Sequence, residues 1–91
     1  MKLPITIEFN SGETATYVAV TPEWVKWEKS TGNIIGEAKD KMGLSDLVFL
    51  AYHAYKREAA GKPVKSLEIW TETIVNVEVA DADPKVTQSE A

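Results

Sequence analysis

Cysteine is absent from the 91 residues, which removes disulfides, thiolate nucleophiles and thiolate metal ligands together. Histidine occurs once, as His53, with Lys56 and Arg57 one helical turn away, so the ligand cluster that a metal site needs is missing. Ser45 is the nearest hydroxyl with a conceivable part in a nucleophile–base pair, but it stands eight residues away and is better placed as a helix cap. The five glycines are scattered, with no phosphate-cradling G-x-G-x-x-G or Walker spacing. No apolar run approaches the roughly 18 residues of a membrane span. The start, Met1-Lys2-Leu3-Pro4-Ile5-Thr6, lacks the apolar h-region of a secretion signal. Nor is there a cationic stripe of the kind that displaces counterions from phosphates. Lys56, Arg57, Lys62 and Lys65 form a short cluster around a helix end, where cations complement the helix dipole anyway. These absences lead us to expect no enzyme, no cofactor, no metal, no nucleic-acid partner and no membrane, in a protein of the cytoplasm.

What is present fits a small soluble domain, with 44% hydrophobic and 26% charged residues. Charge is informative by position. Residues 1–65 carry nine basic and eight acidic side chains, whereas residues 66–91 carry six acids against the single base Lys85. Asp81 and Asp83 pair two carboxylates, but a Ca²⁺ loop needs more oxygen ligands and a turn glycine. From Ala80 onward the chain is polar, acidic and nearly free of large apolar groups, so it cannot offset its ordering entropy. The expectation is one α+β domain over 1–79 and a disordered acidic tail over 80–91.

Leu3, Ile5, Ile7 and Phe9 alternate with Pro4, Thr6 and Glu8, the period of a strand with one buried face. Asn10-Ser11-Gly12-Glu13 supplies turn chemistry, and Thr14–Val20, rich in β-branched and aromatic residues, returns as a second strand. Pro4, without an amide donor, suits an edge position or a strand start. Thr21-Pro22-Glu23 reads as a helix start with a hydroxyl cap, running to about Thr31 and stopped by Gly32. Trp24 and Trp27 share a face that can pack onto the hairpin, and core tryptophans of this kind bury large apolar areas. Residues 33–43 read as an irregular or short helical connection. Ser45 then caps a helix over 46–60 that Gly61-Lys62-Pro63 ends. Leu47, Leu50, Ala51, Ala54 and Tyr55 form one stripe of it, widened by Val48, Tyr52 and Ala59. Only a narrow strip stays polar, and Phe49 interrupts that strip, so the helix is central. Ser66 caps a last helix whose stripe is Leu67, Trp70, Ile74 and Val77. Val75, Val77 and Val79 also alternate as a strand would; helix to about Val75 followed by extended chain is the favoured reading. The sum is an N-terminal β-hairpin followed by three to four short α-helices.

In order along the chain stand Ile7-x-Phe9-x-x-Gly12-Glu13, Trp27-Glu28-Lys29-x-Thr31-Gly32, Gly43-Leu44-x-Asp46-Leu47 and Phe49-Leu50-Ala51-Tyr52-His53-Ala54-x-Lys56-Arg57. Leu67-x-x-Trp70 and Asp83-Pro84-Lys85 follow. This succession resembles the siphophage tail assembly chaperone family over roughly residues 5–85. The resemblance implies a non-enzymatic protein of the host cytoplasm that keeps the long helical tape-measure protein soluble while tail-tube subunits polymerise around it. It also implies that this chain is the short form, with a frameshifted longer form diverging near the acidic tail. The implied partners are the tape-measure protein, further copies of this chain, and the tail-tube protein as an additional candidate. The alternative is a structural virion component, a tail-tube or head–tail connector subunit, whose hairpin joins a neighbour's sheet edge. Phe49, Tyr52, His53 and Tyr55 are the residues expected to border a self-association or tape-measure surface. Replacing Phe49 with a charged residue is then expected to weaken assembly, measured by co-purification, while thermal unfolding of the monomer is unchanged.

Overall fold

A computed structural model describes residues 2–33 and 42–79. Their order is β1 (Leu3–Phe9), β2 (Thr14–Ala19), α1 (Thr21–Thr31), α2 (Leu44–Ala59), α3 (Leu67–Glu72) and β3 (Ile74–Val79). This is a small α+β arrangement: helices pack on one face of a three-stranded antiparallel sheet ordered β2-β1-β3. The expected acidic tail over 80–91, and residues 34–41 of the ambiguous connection, lie outside the described residues. No helix among the described residues is long and apolar enough to cross a membrane.

The period-2 pattern of β1 does what it implies. Ile5 and Ile7 are fully buried, with Leu3 and Phe9 partly buried beside them on the same face. Across the hairpin they meet Tyr17 and Ala15, with Leu3 opposite Ala19. The other face is polar, and Thr6 and Thr16 join hydroxyls there at 2.9 Å. The hairpin turns where Gly12, at φ 93°, donates to the Phe9 carbonyl at 2.9 Å. Amide directions alternate along a strand. The bond from Phe9 N–H to the Glu13 carbonyl (2.8 Å) therefore aims the odd-numbered amides of β1 at β2. The bond from Asn10 N–H to the Thr73 carbonyl (2.8 Å) aims the even-numbered ones at β3. Of the two places open to Pro4, the structure gives the strand start: β1 is central, and the described ladder to β3 begins only at Ile5.

Three expectations are corrected. Helix α3 ends at Glu72, not near Val75, and residues 74–79 are a third strand paired with β1. The cause is a β-bulge: Glu8 pairs with Asn76 and Phe9 with Ile74, leaving Val75 as the extra residue. The bulge lets Ile74 and Val77, three apart, both turn half-buried toward the core, so a strand here carries helical spacing. Second, α2 is capped by Gly43 rather than Ser45. Gly43 is the extended residue before the helix, and its N–H donates to Asp46 Oδ2 at 2.8 Å. Third, Thr21 is the first residue of α1 and not its hydroxyl cap: Val20 is the extended residue before the helix, and its N–H donates to Glu23 Oε1 at 2.9 Å. Other signals hold as read. Gly32 closes α1 at φ 77°, donating to the Glu28 carbonyl, and the Ser66 hydroxyl accepts the Ile69 N–H at 3.3 Å.

Trp27 is fully buried and its Nε1–H donates to Asp46 Oδ1 at 3.0 Å. Asp46 thus uses one oxygen to start α2 and the other to hold α1. Truncation to Ala removes a helix-capping bond and leaves a buried indole donor unpaired. Asp46→Ala is expected to lower unfolding free energy by about 1–3 kcal/mol in denaturant titration.

Candidate functional site

Helix α2 is the central element, burying Val48, Leu50, Ala51, Tyr52 and Ala54. It divides the four residues expected at a binding surface. Tyr52 is only 6% exposed, and its hydroxyl donates to the Lys65 carbonyl at 2.6 Å, so it is a core residue that ties down the loop before α3. Tyr55 is half-buried and stacks on Trp70, with centroids 5.4 Å apart and planes 9° apart. Trp70 is also in edge contact with Phe9 and Tyr17, so these rings clamp α2 and α3 to the hairpin. Phe49 and His53 lie together, half-buried, with ring centroids 4.4 Å apart. Phe49 packs against the core, so a charge placed there reports on folding as well as on association. The structure therefore leaves Phe49 and His53 as the outward part of the expected surface.

His53 packs beside Phe49 and Tyr52. Its Nδ1 is buried without a hydrogen-bond partner. Burial lowers its pKa, and the charges of Lys26 and Lys56 lower it further, against an opposing contribution from Glu23. The ring is therefore held neutral at neutral pH. Among the described residues no three His, Cys, Asp or Glu side chains come together as a metal site would require.

An apolar opening lies elsewhere, and the sequence analysis does not locate it. Leu44, Ser45, Val48, Leu67 and Thr71 line a cleft of about 430 Å³ between the start of α2 and α3. A second cleft of about 230 Å³ adjoins it, sharing Leu44, Val48 and Thr71 and reaching Ile74, Val75 and Val77 of β3. Leu44 is 65% exposed and Val75 62% exposed, both large for unpartnered apolar side chains. The groove is assembled from three separate elements. Leu44 reads as a residue outside a helix until Gly43 is recognised as the cap, and Val75 reads as the approximate end of the last helix until the bulge in β3 is seen. The exposed acids Glu68, Glu72 and Glu78 belong to the two elements on its far side, and residues 66–79 contain no Lys or Arg. Both clefts are lined by apolar and uncharged side chains, a surface that suits the apolar face of an amphipathic segment. A third cavity of about 290 Å³ opens beside the hairpin turn, walled by Phe9, Tyr17, Tyr55 and Trp70 with Glu13 and Lys65 at its margin.

The end of α2 opposite this groove is fixed by charge. Glu23 has no exposed surface, and Arg57 grips it with Nε to Oε2 at 2.9 Å and Nη2 to Oε1 at 3.2 Å. The same Nη2 donates to the Val18 carbonyl at 3.2 Å. Burial by itself raises the Glu23 pKa, but hydrogen bonds from Arg57 and the Val20 amide, with the Arg57 and Lys26 charges, outweigh it and lower the pKa overall. Compared with protein-family models, with curated proteins and with solved structures, the chain matches none.

A lowered carboxylate pKa contributes stability that is complete above the ordinary value of about 4.3 and is lost as pH falls through the folded-state value. Unfolding free energy measured from about pH 7 down to pH 2 should therefore fall more steeply for the native chain than for Glu23→Gln. The gap between the two curves should close below about pH 4.3. Arg57→Ala leaves the buried carboxylate unpaired and should destabilise more than Glu23→Gln at pH 7.

Proposed function

We propose that this protein is a tail assembly chaperone that binds the tape-measure protein in the host cytoplasm and keeps it soluble during tail-tube polymerisation. The succession of motifs from Ile7 to Asp83-Pro84-Lys85 supports the family, and one structural observation supports the mode of action. That observation is the groove between α2, α3 and β3, with Leu44 and Val75 exposed and acids as the only charges on α3 and β3. A long helical client presents apolar stripes that aggregate when bare. A groove of this kind covers such a stripe, while the exposed acids of α3 and β3 keep the complex dispersed. No bond is made or broken in this function, so it needs neither a cofactor nor an activated nucleophile. The acidic tail over 80–91 adds to the dispersing charge in this proposal, and further copies of the chain share a client that is long relative to one 91-residue protein.

The test is co-expression with the tape-measure protein of the same genome, scoring its solubility and its co-purification with this chain. A soluble complex is expected. Leu44→Glu should reduce the recovered complex about tenfold or more without lowering the melting temperature, because Leu44 is exposed and an acid in the first turn of a helix is favourable. Absence of any complex, with the longer form also supplied, refutes the chaperone. Retention of the chain in purified particles would then identify the structural virion component.

A further inference from the structure

We propose that β3 is a self-pairing edge: two copies of the chain join antiparallel through β3 about a two-fold axis at Val77, making a six-stranded sheet with both helical layers on one side. The two edges of the sheet differ. Alternation along β2 aims the Val18 carbonyl away from β1, to the outer edge, and there Arg57 Nη2 occupies it at 3.2 Å. On the opposite side β3 has β1 as its one neighbour among the described residues. Since the even-numbered amides of β1 face β3, the N–H and C=O groups of Asn76 and Glu78 face β1 and those of Val77 and Val79 face outward. Residues 74–79 contain no Lys, Arg or Pro, the residues that keep edge strands from pairing.

The occupant is a second copy because the strand is complementary to itself in one register. With Val77 opposite Val77, the two residues exchange both outward hydrogen bonds. Asn76 of each copy then faces Glu78 of the other, an amide donor against a carboxylate, in the closer non-hydrogen-bonded type of pair. The same Asn76 Nδ2 already reaches Glu78 Oε2 within its own strand at 3.3 Å, so the two groups stand on one face and at one height. Val75 falls opposite Val79, and these are the apolar side chains that β3 leaves 62% and 42% exposed. Shifting the register by one residue in either direction sets valine against Asn76 or Glu78 and removes both matches. The pairing does not require the neighbouring groove to be occupied. It lays the Val75 margin of each groove beside Val79 of the second copy.

Sedimentation equilibrium on the full chain should show a reversible monomer–dimer equilibrium, since a single strand pair is a small interface. Hydrogen exchange at the Val77 and Val79 amides should slow as concentration rises, while the Asn76 amide stays protected throughout. Asn76→Lys places a cation opposite Glu78 of the second copy, at two places in the interface, and should tighten the dimer about threefold or more. Asn76→Lys with Glu78→Lys sets like charges together and should weaken it about tenfold relative to the single variant. Both positions are exposed, and an unchanged circular-dichroism melt confirms that folding is intact. A chain that stays monomeric overturns the proposal, as does a dimer indifferent to both variants. Val77 and Val79 amides protected at every concentration also overturn it, because the edge is then covered by the chain's own residues.

Discussion

Two carboxylates, each at the third position of a helix, hold this fold together by doing the same two jobs. Glu23 receives the Val20 amide that opens α1 and grips Arg57 on α2. Asp46 receives the Gly43 amide that opens α2 and grips Trp27 on α1. Each acid therefore starts its own helix and anchors it to the other. One contact joins residue 23 to 57 and the other joins 27 to 46, so the first two turns of α1 are held at two points eleven residues apart on α2. Hydrophobic contact alone permits sliding along an apolar stripe. Directional bonds from a capped helix start do not, because shifting the helix costs the cap as well as the bridge.

With α1 and α2 so fixed, the distribution of cover over the sheet follows. The indole of Trp27 and the buried face of α2 lie over Ile5, Ile7 and Ala19, which are fully buried. The aromatic cluster around Trp70 secures α3 at the hairpin end. What remains is β3, which follows a six-residue helix and is covered only in part, with Ile74 and Val77 half-buried and Val75 and Val79 exposed. The groove is the consequence of a helical layer too small for the third strand. Its apolar lining is the part of the core that the fold leaves unpaired.

Much of this was legible in residue order because the signals were local. Alternation fixed β1, turn chemistry fixed the hairpin, Gly32 fixed the end of α1, and Ser66 fixed the start of α3. Signals depending on distant partners were ambiguous or misread. Ile74 and Val77 carry a three-residue spacing that belongs to a helix on its own and to a bulged strand once β1 lies beside it. Ser45 is the better cap by residue type, but Gly43 is the residue with extended geometry, and the acid three positions on makes the capping bond. Tyr52 widened the apolar girth of α2 and so was expected at a surface, whereas Trp70 and the Lys65 carbonyl enclose it. Of the candidate surface, Phe49 and His53 were placed by helix periodicity. The groove was not, because Leu44, Thr71 and Val75 meet only in three dimensions.

A domain this small buries a limited share of its apolar surface, so side chains withheld from the core are costly to stability. Leu44 and Val75 are such side chains, and nothing in the local backbone forces them to be apolar. Leu44 occupies the first turn of α2, where Asp or Glu would complement the dipole, and Val75 is a bulge residue outside the regular ladder. Polar residues at both places would suit an isolated monomer better. Apolar residues at both, on the rim of one groove and beside a strand edge with no further neighbour among the described residues, suit the proposed second surface. The acids on α3 and β3 then have a physical role that an isolated monomer does not require. In the proposed assembly the acids of α3 oppose association without register, while Glu78 takes part in the directed contact with Asn76.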